Sequence, residues 1–459
     1  MSEEKSSNLE DIKKVVTSGP TVSGIFAPSQ ENILEPISKL KQEETYEECV
    51  QCGYCRHVCR VYNVTFSERD YAGGRNRILK SLSKKELEFD KEKIIPAIYR
   101  CMLCGHCRTV CPVGIDTVNI FQRFRYNSVK KGVLPEKLKI LRDSIITHNN
   151  PFLESGTDRY NWCTSQACDE GHIAYERGKE LYSKIASGEI KPGERKENLV
   201  GYFVGCTSAY RNNELTVATS RVLDKLGIEF IVFPTEKCCG SVLFRTGLDD
   251  DCIDLMEHNI SMIRESGIKD IVFSCAGCFS TFSNEYVKHT KGNLGFNLYP
   301  LVQFVPKFAK ENNIKIKYTL RSKDDPLIVT YHDPCHLGRY CDIYDEPREL
   351  LNMIEGIKLI EMKHNKEMSW CCGAGGGVRA LYGEISTNIA SNRLDETVAC
   401  WEDINEDRLK EALETEAEAL VSACVFCKNN LFLAADEMEK PIEVIDISQI
   451  LENCEFSSL

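Results

Sequence analysis

Nowhere does this sequence hold an apolar run approaching the ~18 residues of a membrane helix; its most hydrophobic stretches, Leu199–Val204 and Leu327–Tyr331, are strand-length. A direct membrane span is therefore not expected, and any tie to a membrane would run through a partner. Positive charge is scarce too. Against 69 Asp and Glu there are 57 Lys and Arg, a net charge of -12, so there is no basic surplus for a phosphate backbone, and nucleic acid is not an expected partner. No Gly-Lys-Ser/Thr follows the glycines at 373–377, and no glycine-rich turn has the strand and spacing of a dinucleotide fold. The N-terminus lacks the charged, apolar and small-residue order of a secretory signal, so the expected setting is the cytoplasm, at most at the inner face of a membrane through a partner.

Cysteine is what the sequence has in excess, 24 in 459 residues. A chain of this length supports roughly two to four domains with real cores and needs no disulfide framework. In a reducing compartment so many thiols point to metal before disulfide.

Cys49, Cys52, Cys55 and Cys59 form C-x2-C-x2-C-x3-C, and Cys101, Cys104, Cys107 and Cys111 repeat it 52 residues later, followed by Pro112. Three closely spaced thiolates can each grip one iron of a cube, and in two-cluster ferredoxins the fourth cysteine of each run serves the other cluster. The spacing therefore assigns Cys49, Cys52, Cys55 and Cys111 to one [4Fe-4S] cubane, and Cys101, Cys104, Cys107 and Cys59 to the other. Structural zinc, which takes separated pairs, does not call for the third thiol or the proline. Arg60 stands where a proline might follow the first run. Arg56, His57, Arg100, His106 and Arg108 beside the thiolates read as solvated charge, with cluster tuning or docking as the alternative.

The chain reads as α/β plus α-helical. Residues 1–45 form a polar tail with a short helix near Ile33–Leu40. A two-cluster ferredoxin-like module spans 46–128, its clusters separated by a charged helical connector over Ile78–Glu92, and a helical bridge spans 129–197. Beyond Lys191-Pro192-Gly193, short apolar runs alternate with helical segments as a parallel layer requires. Strands are expected at Leu199–Val204, Phe230–Phe233 and Asp270–Ser274, with a helix over Glu214–Leu226 closed by Gly227. The same order recurs in strands at Leu327–Tyr331, Lys358–Met362 and Leu420–Ala423, with a helix over Pro347–Ile354. This is a duplication of about 130 residues, the copies occupying 198–325 and 326–459. In both, cysteines follow the carboxyl ends of strands, where open α/β sheets carry ligands.

Those cysteines are Cys206, the adjacent Cys238 and Cys239, and Cys275 with Cys278; then Cys335, the adjacent Cys371 and Cys372, and Cys424 with Cys427. Each copy supplies five thiols, one more than a cubane or a zinc ion takes. Adjacent cysteines diverge, so they bind different irons, or bridge two, more readily than one ion. The CCGAGGG stretch at 371–377 adds glycines that let backbone approach a bulky inorganic core.

This five-cysteine pattern, with Tyr331-His332-Asp333-Pro334-Cys335-His336-Leu337-Gly338-Arg339 and CCGAGGG, resembles the cysteine-rich CCG domain family. With the ferredoxin module in front, residues 46–450 are similar to the D subunits of heterodisulfide reductases; the glycolate oxidase iron-sulfur subunit and the C subunit of glycerol-3-phosphate dehydrogenase share the layout. The resemblance implies a noncubane [4Fe-4S] cluster on each set of five cysteines, the two facing a cleft where a disulfide is split by one-electron steps. It implies a flavoprotein or membrane cytochrome b as the electron-transfer partner and a small disulfide or thiol as substrate. Both sets are complete here, which favours disulfide chemistry over the alternative, an electron-transfer subunit of a flavin-dependent 2-hydroxyacid or glycerol-3-phosphate dehydrogenase passing electrons towards quinone. A zinc-stabilised scaffold is the non-enzymatic rival. His332 and His336 flank a ligand; they either donate protons to a departing thiolate or hold the loop. The second copy has 16 more residues between its cysteine pair and last two thiols, expected as a surface helix near Trp401–Glu416. Cys163, Cys168, Cys252, Cys341, Cys400 and Cys454 read as small apolar residues. Of these, Cys163 and Cys168, near Trp162 and His172, alone suggest a further role.

Overall fold

The computed structural model describes residues 46–164, 168–194, 196–398 and 417–458. The helices expected near Ile33–Leu40 and Trp401–Glu416, and Cys400, lie outside them. The chain forms two compact units. One takes in the chain to Asp143 with Val242–Asp251 and Trp370–Ala390; the other takes in Ser144–Ser241, Cys252–Ser369 and Ser391–Leu459.

The first unit is helical. The short helices Tyr54–His57 and His106–Thr109 each start after a left-handed glycine, Gly53 (φ 85) and Gly105 (φ 80). The longer helices of this unit are Ala72–Ser83 and Lys91–Tyr99, between those two, and Thr117–Lys130 and Glu136–His148, after them. The connector expected as one helix over Ile78–Glu92 is instead the end of one helix and the start of another. The first stops at Ser83, Lys85 takes a left-handed turn (φ 57), and Asp90 caps the next by accepting from the Glu92 amide at 3.0 Å. Val61, Met102, Cys371, Val378 and Ile389 form an apolar core in this unit.

The second unit carries the strands: β1 Lys196–Phe203, β2 Glu229–Val232, β3 Ile268–Phe273, β4 Asn297–Pro300, β5 Ile314–Tyr318, β6 Leu327–His332, β7 Ile354–Glu355, β8 Ile357–Leu359, β9 Ala419–Ser422, β10 Glu443–Asp446 and β11 Cys454–Ser458. One sheet has the order β2-β1-β3-β4 and another β10-β9-β6-β8, every pairing in both being parallel. Matching β1 with β6, β2 with β8, β3 with β9 and β4 with β10 makes the two orders identical. A third sheet, β11-β5-β7, pairs β5 antiparallel to β11 and parallel to β7. The strand expected over Lys358–Met362 ends at Leu359.

The parallel strands are buried because helices cover them. The helix Asn213–Lys225 is amphipathic, with Leu215, Ala218, Val222 and Leu223 inward, and Gly227 at φ 69 ends it as anticipated. No helix among the described residues is long and apolar enough to cross a membrane.

Candidate iron-sulfur sites

In the first unit two thiol-lined chambers form around the ferredoxin-like runs. Cys49, Cys52, Cys55 and Cys111 line one, with Cys107 on its wall. Cys59, Cys101, Cys104 and Cys107 line the other, together with Arg75 and Cys371. The donors are all sulfur in a mostly apolar hollow, which is the chemistry an iron-sulfur cluster takes, so the residues fit such a group. The thiols themselves are poor ligands until ionised, and burial pushes Cys55 up to about 11; binding iron would release its proton.

The basic residues around these runs divide. Arg56 pairs with Glu68 at 3.1 Å on the surface, and His57 is exposed, as solvated charge requires. Arg100 instead binds the buried Asp70 carboxylate at 3.2 Å, and His106 is only 1% exposed. Arg60 is also buried, its guanidinium 3.3 Å from the centre of the Trp370 ring.

The stretch at 371–377 belongs to this same unit, and Cys371 packs with Cys59, Cys104 and Met102. Its glycines have a local cause: a Cβ on Gly375 would stand 2.8 Å from the Met102 carbonyl oxygen, and one on Gly376 (φ 61) 2.6 Å from that of Cys101. The loop therefore lies directly against the backbone of the second cubane run. Gly376→Ala is expected to cost about 2–3 kcal/mol in anaerobic denaturation, combining left-handed strain with the clash, against about 1 kcal/mol for Gly132→Ala, where strain acts alone. Gly132 has φ 76 and, among the described residues, no atom within 4 Å of a Cβ. Equal losses would show that close approach is not why Gly376 is glycine.

In the second unit the first set of five thiols converges. β1 leads through Gly205 to Cys206, β2 to Cys238 and Cys239, and β3 to Cys275, which caps the helix Ala276–Thr281. Cys206 Sγ lies 3.8 Å from Cys238 Sγ. Cys239 hydrogen-bonds with Cys238 and Cys278, which hold its thiol down at about 6 despite burial. Cys275 bonds with Cys278 and, across the duplication, with its counterpart Cys424, and these bonds lower it well below the ordinary thiol value. Seven sulfurs thus run from Cys206 to Cys427 through successive contacts. A Cβ on Gly205 would reach 3.0 Å from Cys278 Sγ, so glycine keeps the cradle open. Of the five, Cys239 and Cys275 are held down, while hydrogen bonds to neighbouring sulfurs and burial push Cys206 and Cys278 well up; five converging sulfurs of this kind suit an iron-sulfur group as ligands once ionised.

Sequence reasoning missed what holds this loop. The buried Glu236 carboxylate accepts from the amides of Val204 (2.8 Å) and Gly205 (2.9 Å) and pairs with buried Arg159 at 2.8 Å. Asn259 reaches the Cys238 carbonyl at 3.3 Å, and Tyr286 the Cys239 carbonyl at 3.2 Å. Only the Glu-Lys-Cys-Cys order at 236–239 hinted at any of this. The two copies also meet through a reciprocal amide pair, Asn212 with Asn429, at 2.7 and 2.6 Å.

Of the second set, Cys335, Cys424 and Cys427 lie in this unit, Cys424 capping the helix Val425–Glu437; Cys371 and Cys372 lie in the first. The loop after β6 is fixed by Asp333, which takes Arg348 in two bonds of 2.7 and 3.0 Å and accepts from the Lys366 amide. His332 is buried and has a ring nitrogen within 4.8 Å of Cys427 Sγ. Arg393 Nε donates to its Nδ1 at 3.2 Å, and a guanidinium cannot accept, so a neutral ring carries its proton on Nε2. His336 is half-buried with its ring 5.1 Å from that of Tyr340.

Cys163, Cys168, Cys252 and Cys454 are buried and Cys341 half-buried, as small apolar residues would be. Cys168 additionally caps the helix Asp169–Ala186 by accepting from the Gly171 amide at 3.2 Å.

Comparison with known proteins agrees with this chemistry. The cysteine-rich domain family matches residues 200–283 and again 329–432, and the 4Fe-4S dicluster domain family matches 45–115. The D subunit of the dihydromethanophenazine:CoB–CoM heterodisulfide reductase of Methanosarcina barkeri is 34% identical over 423 residues, 88% of this chain and 92% of that protein. That of Methanosarcina acetivorans is 34% identical over 421 residues, 87% and 92%. The B subunit of the fumarate reductase (CoM/CoB) of Methanothermobacter marburgensis is 25% identical over 442 residues, 94% and 77%. The chain belongs to the family of heterodisulfide reductase D subunits.

Proposed function

We propose that this chain is the iron-sulfur catalytic subunit of a heterodisulfide reductase-like complex, an oxidoreductase that reduces a disulfide or oxidises the corresponding thiols. What carries the reading is the convergence of the Cys206, Cys238, Cys239, Cys275 and Cys278 sulfurs and their continuation to Cys424 and Cys427. Cys49, Cys52, Cys55 and Cys111 would hold one cubane, and Cys59, Cys101, Cys104 and Cys107 the second. Noncubane clusters would sit on the first set of five thiols and on Cys335, Cys371, Cys372, Cys424 and Cys427. The arrangement is a two-cluster module over 46–128 and CCG copies over 198–325 and 326–459.

When bound, these clusters supply single electrons; parting a disulfide takes two, with two protons, and yields two thiols. The protein supplies burial and fixed donors. The amides of Gly277 and Cys278 donate to the Cys275 sulfur and that of Cys427 to the Cys424 sulfur, and Arg393 keeps the His332 proton on Nε2, on the side opposite the arginine. Electrons would come from a flavoprotein or a membrane cytochrome b, the latter placing the chain at the membrane through that partner.

Anaerobically purified protein is expected to carry about sixteen irons with matching acid-labile sulfide, four per cluster. With a reduced artificial donor it should consume a disulfide. Zinc without sulfide would leave a scaffold, and full iron with an untouched disulfide would leave an electron-transfer subunit.

A further inference from the structure

The two cubane chambers differ in one respect that the cysteine spacing conceals. Among the described residues, none of those in the wall of the chamber of Cys49, Cys52, Cys55 and Cys111 is a lysine, arginine or histidine. The chamber of Cys59, Cys101, Cys104 and Cys107 has Arg60, Arg75 and His106.

Arg75 is the most telling of these. It lies in the glycine-rich first turn of the helix Ala72–Ser83 and is 1% exposed. Gly74 before it packs so closely on the Glu68 carbonyl that a Cβ would stand 1.7 Å away. Its Nε donates to the Ala97 carbonyl at 2.7 Å, which fixes the guanidinium plane, while its buried Nη2 has no hydrogen-bond partner among the described residues. The nearby carboxylate, Asp70, is bonded to Arg100. What shares the chamber wall with Arg75 is sulfur, that of Cys59, Cys101, Cys104 and Cys107. A buried guanidinium N–H with nothing to donate to is costly, and a cluster's sulfurs, with the negative charge they share, are acceptors that would satisfy it.

We propose that Arg75 donates from Nη2 to a sulfur of the group held by Cys59, Cys101, Cys104 and Cys107, and so makes that site easier to reduce than the one held by Cys49, Cys52, Cys55 and Cys111. A fixed positive charge and hydrogen bond favour the more negative, reduced state of that site alone. Arg75 is a positioning residue that biases the resting place of an electron towards the chamber whose wall includes Cys371, a member of the second CCG set. This rests on the cluster reading above and goes beyond it.

The test is an anaerobic potentiometric titration of the full chain followed by EPR. Cys52→Ser and Cys104→Ser variants identify which signal belongs to which chamber. In Arg75→Met the signal of the Cys104 chamber is expected to move to lower potential by at least tenfold in reduction equilibrium, about 59 mV for one electron, with the other signal unmoved. Arg75→Lys, which retains the charge without the planar fork, should shift less, and serves as the readout if the Met variant does not assemble. An unmoved Cys104-chamber signal in both variants, or a shift on the Cys52-chamber signal instead, overturns the role of Arg75 alone. Absence of both cubane signals from the unaltered chain overturns the cluster reading, and this inference with it.

Discussion

Cys239→Ala is expected to lower disulfide reduction by about a thousandfold or more while leaving both cubane EPR signals intact. Cys239 sits at the centre of its set, bonded on one side to Cys238 and on the other to Cys278, and its thiol is among those held well below the ordinary value. Removing one buried sulfur adds no bulk, and the surrounding loop keeps its own supports, the Asn259 bond to the Cys238 carbonyl and the Tyr286 bond to the Cys239 carbonyl. The defect should therefore be chemical rather than a failure to fold. The cubane thiols belong to the other unit and have no share in these bonds. Transfer of electrons from the artificial donor to a one-electron dye is accordingly expected to persist. The measurement is parallel rates with a disulfide and with the dye. Equal retention of both rates would remove Cys239, and its set, from the chemistry and leave only electron transfer.

The parallel strands and their cysteines were legible because both depend on local pattern. A strand buried on both faces must be a continuous apolar run, and β1, β3, β6 and β9 each stop two or three residues short of a cysteine. The repeated order of those runs revealed the duplication, which the matching sheet orders carry further than the sequence could. The edge strands escaped because Asn297–Pro300 and Glu443–Asp446 are short and mix polar with apolar residues. Ile314–Tyr318, alternating Ile and Lys, has the period of a half-buried strand, and its burial alternates from Lys315 onward, so this strand is written in the sequence.

Charge was the harder property to read. An arginine next to a cysteine run is usually solvated, and for Arg56 that holds, yet Arg60 is buried, as are Arg75 and Arg125 farther from the runs. Which of them is buried depends on partners far along the chain, such as Trp370 under Arg60, and spacing carries no record of those. Approach of an inorganic core is what the glycines of the 371–377 stretch suggest from sequence. At Gly375 and Gly376 the close neighbour is instead the backbone of Cys101 and Met102, some 270 residues earlier, so the reason for the motif was as much protein packing as cofactor chemistry.

Arg125→Met is expected to destabilise the first unit by about 3–5 kcal/mol, the range for breaking a buried polar network. Arg125 is fully buried, and its two terminal nitrogens donate to four carbonyls: those of Arg245 (2.6 Å), Gly376 (2.8 Å), Ile98 (2.8 Å) and Cys101 (2.5 Å). One side chain thereby fastens three distant segments, including the second cubane run and the glycine loop after Cys372. Methionine fills similar space but removes the donors of four buried carbonyls, of which that of Ile98 still accepts from the Cys101 amide at 3.3 Å; each acceptor left unmet costs about 1–3 kcal/mol, and relief from burying a cation offsets only part of that. Lysine retains the charge but offers three donors from one point, so Arg125→Lys should fall between methionine and the parent. Urea denaturation of the anaerobic protein, followed by loss of iron-sulfur absorbance, reads the effect. A methionine variant within about 1 kcal/mol of the parent, near the cost of an ordinary substitution, would mean that these carbonyls find other donors and that Arg125 does not hold the cubane run and the glycine loop together.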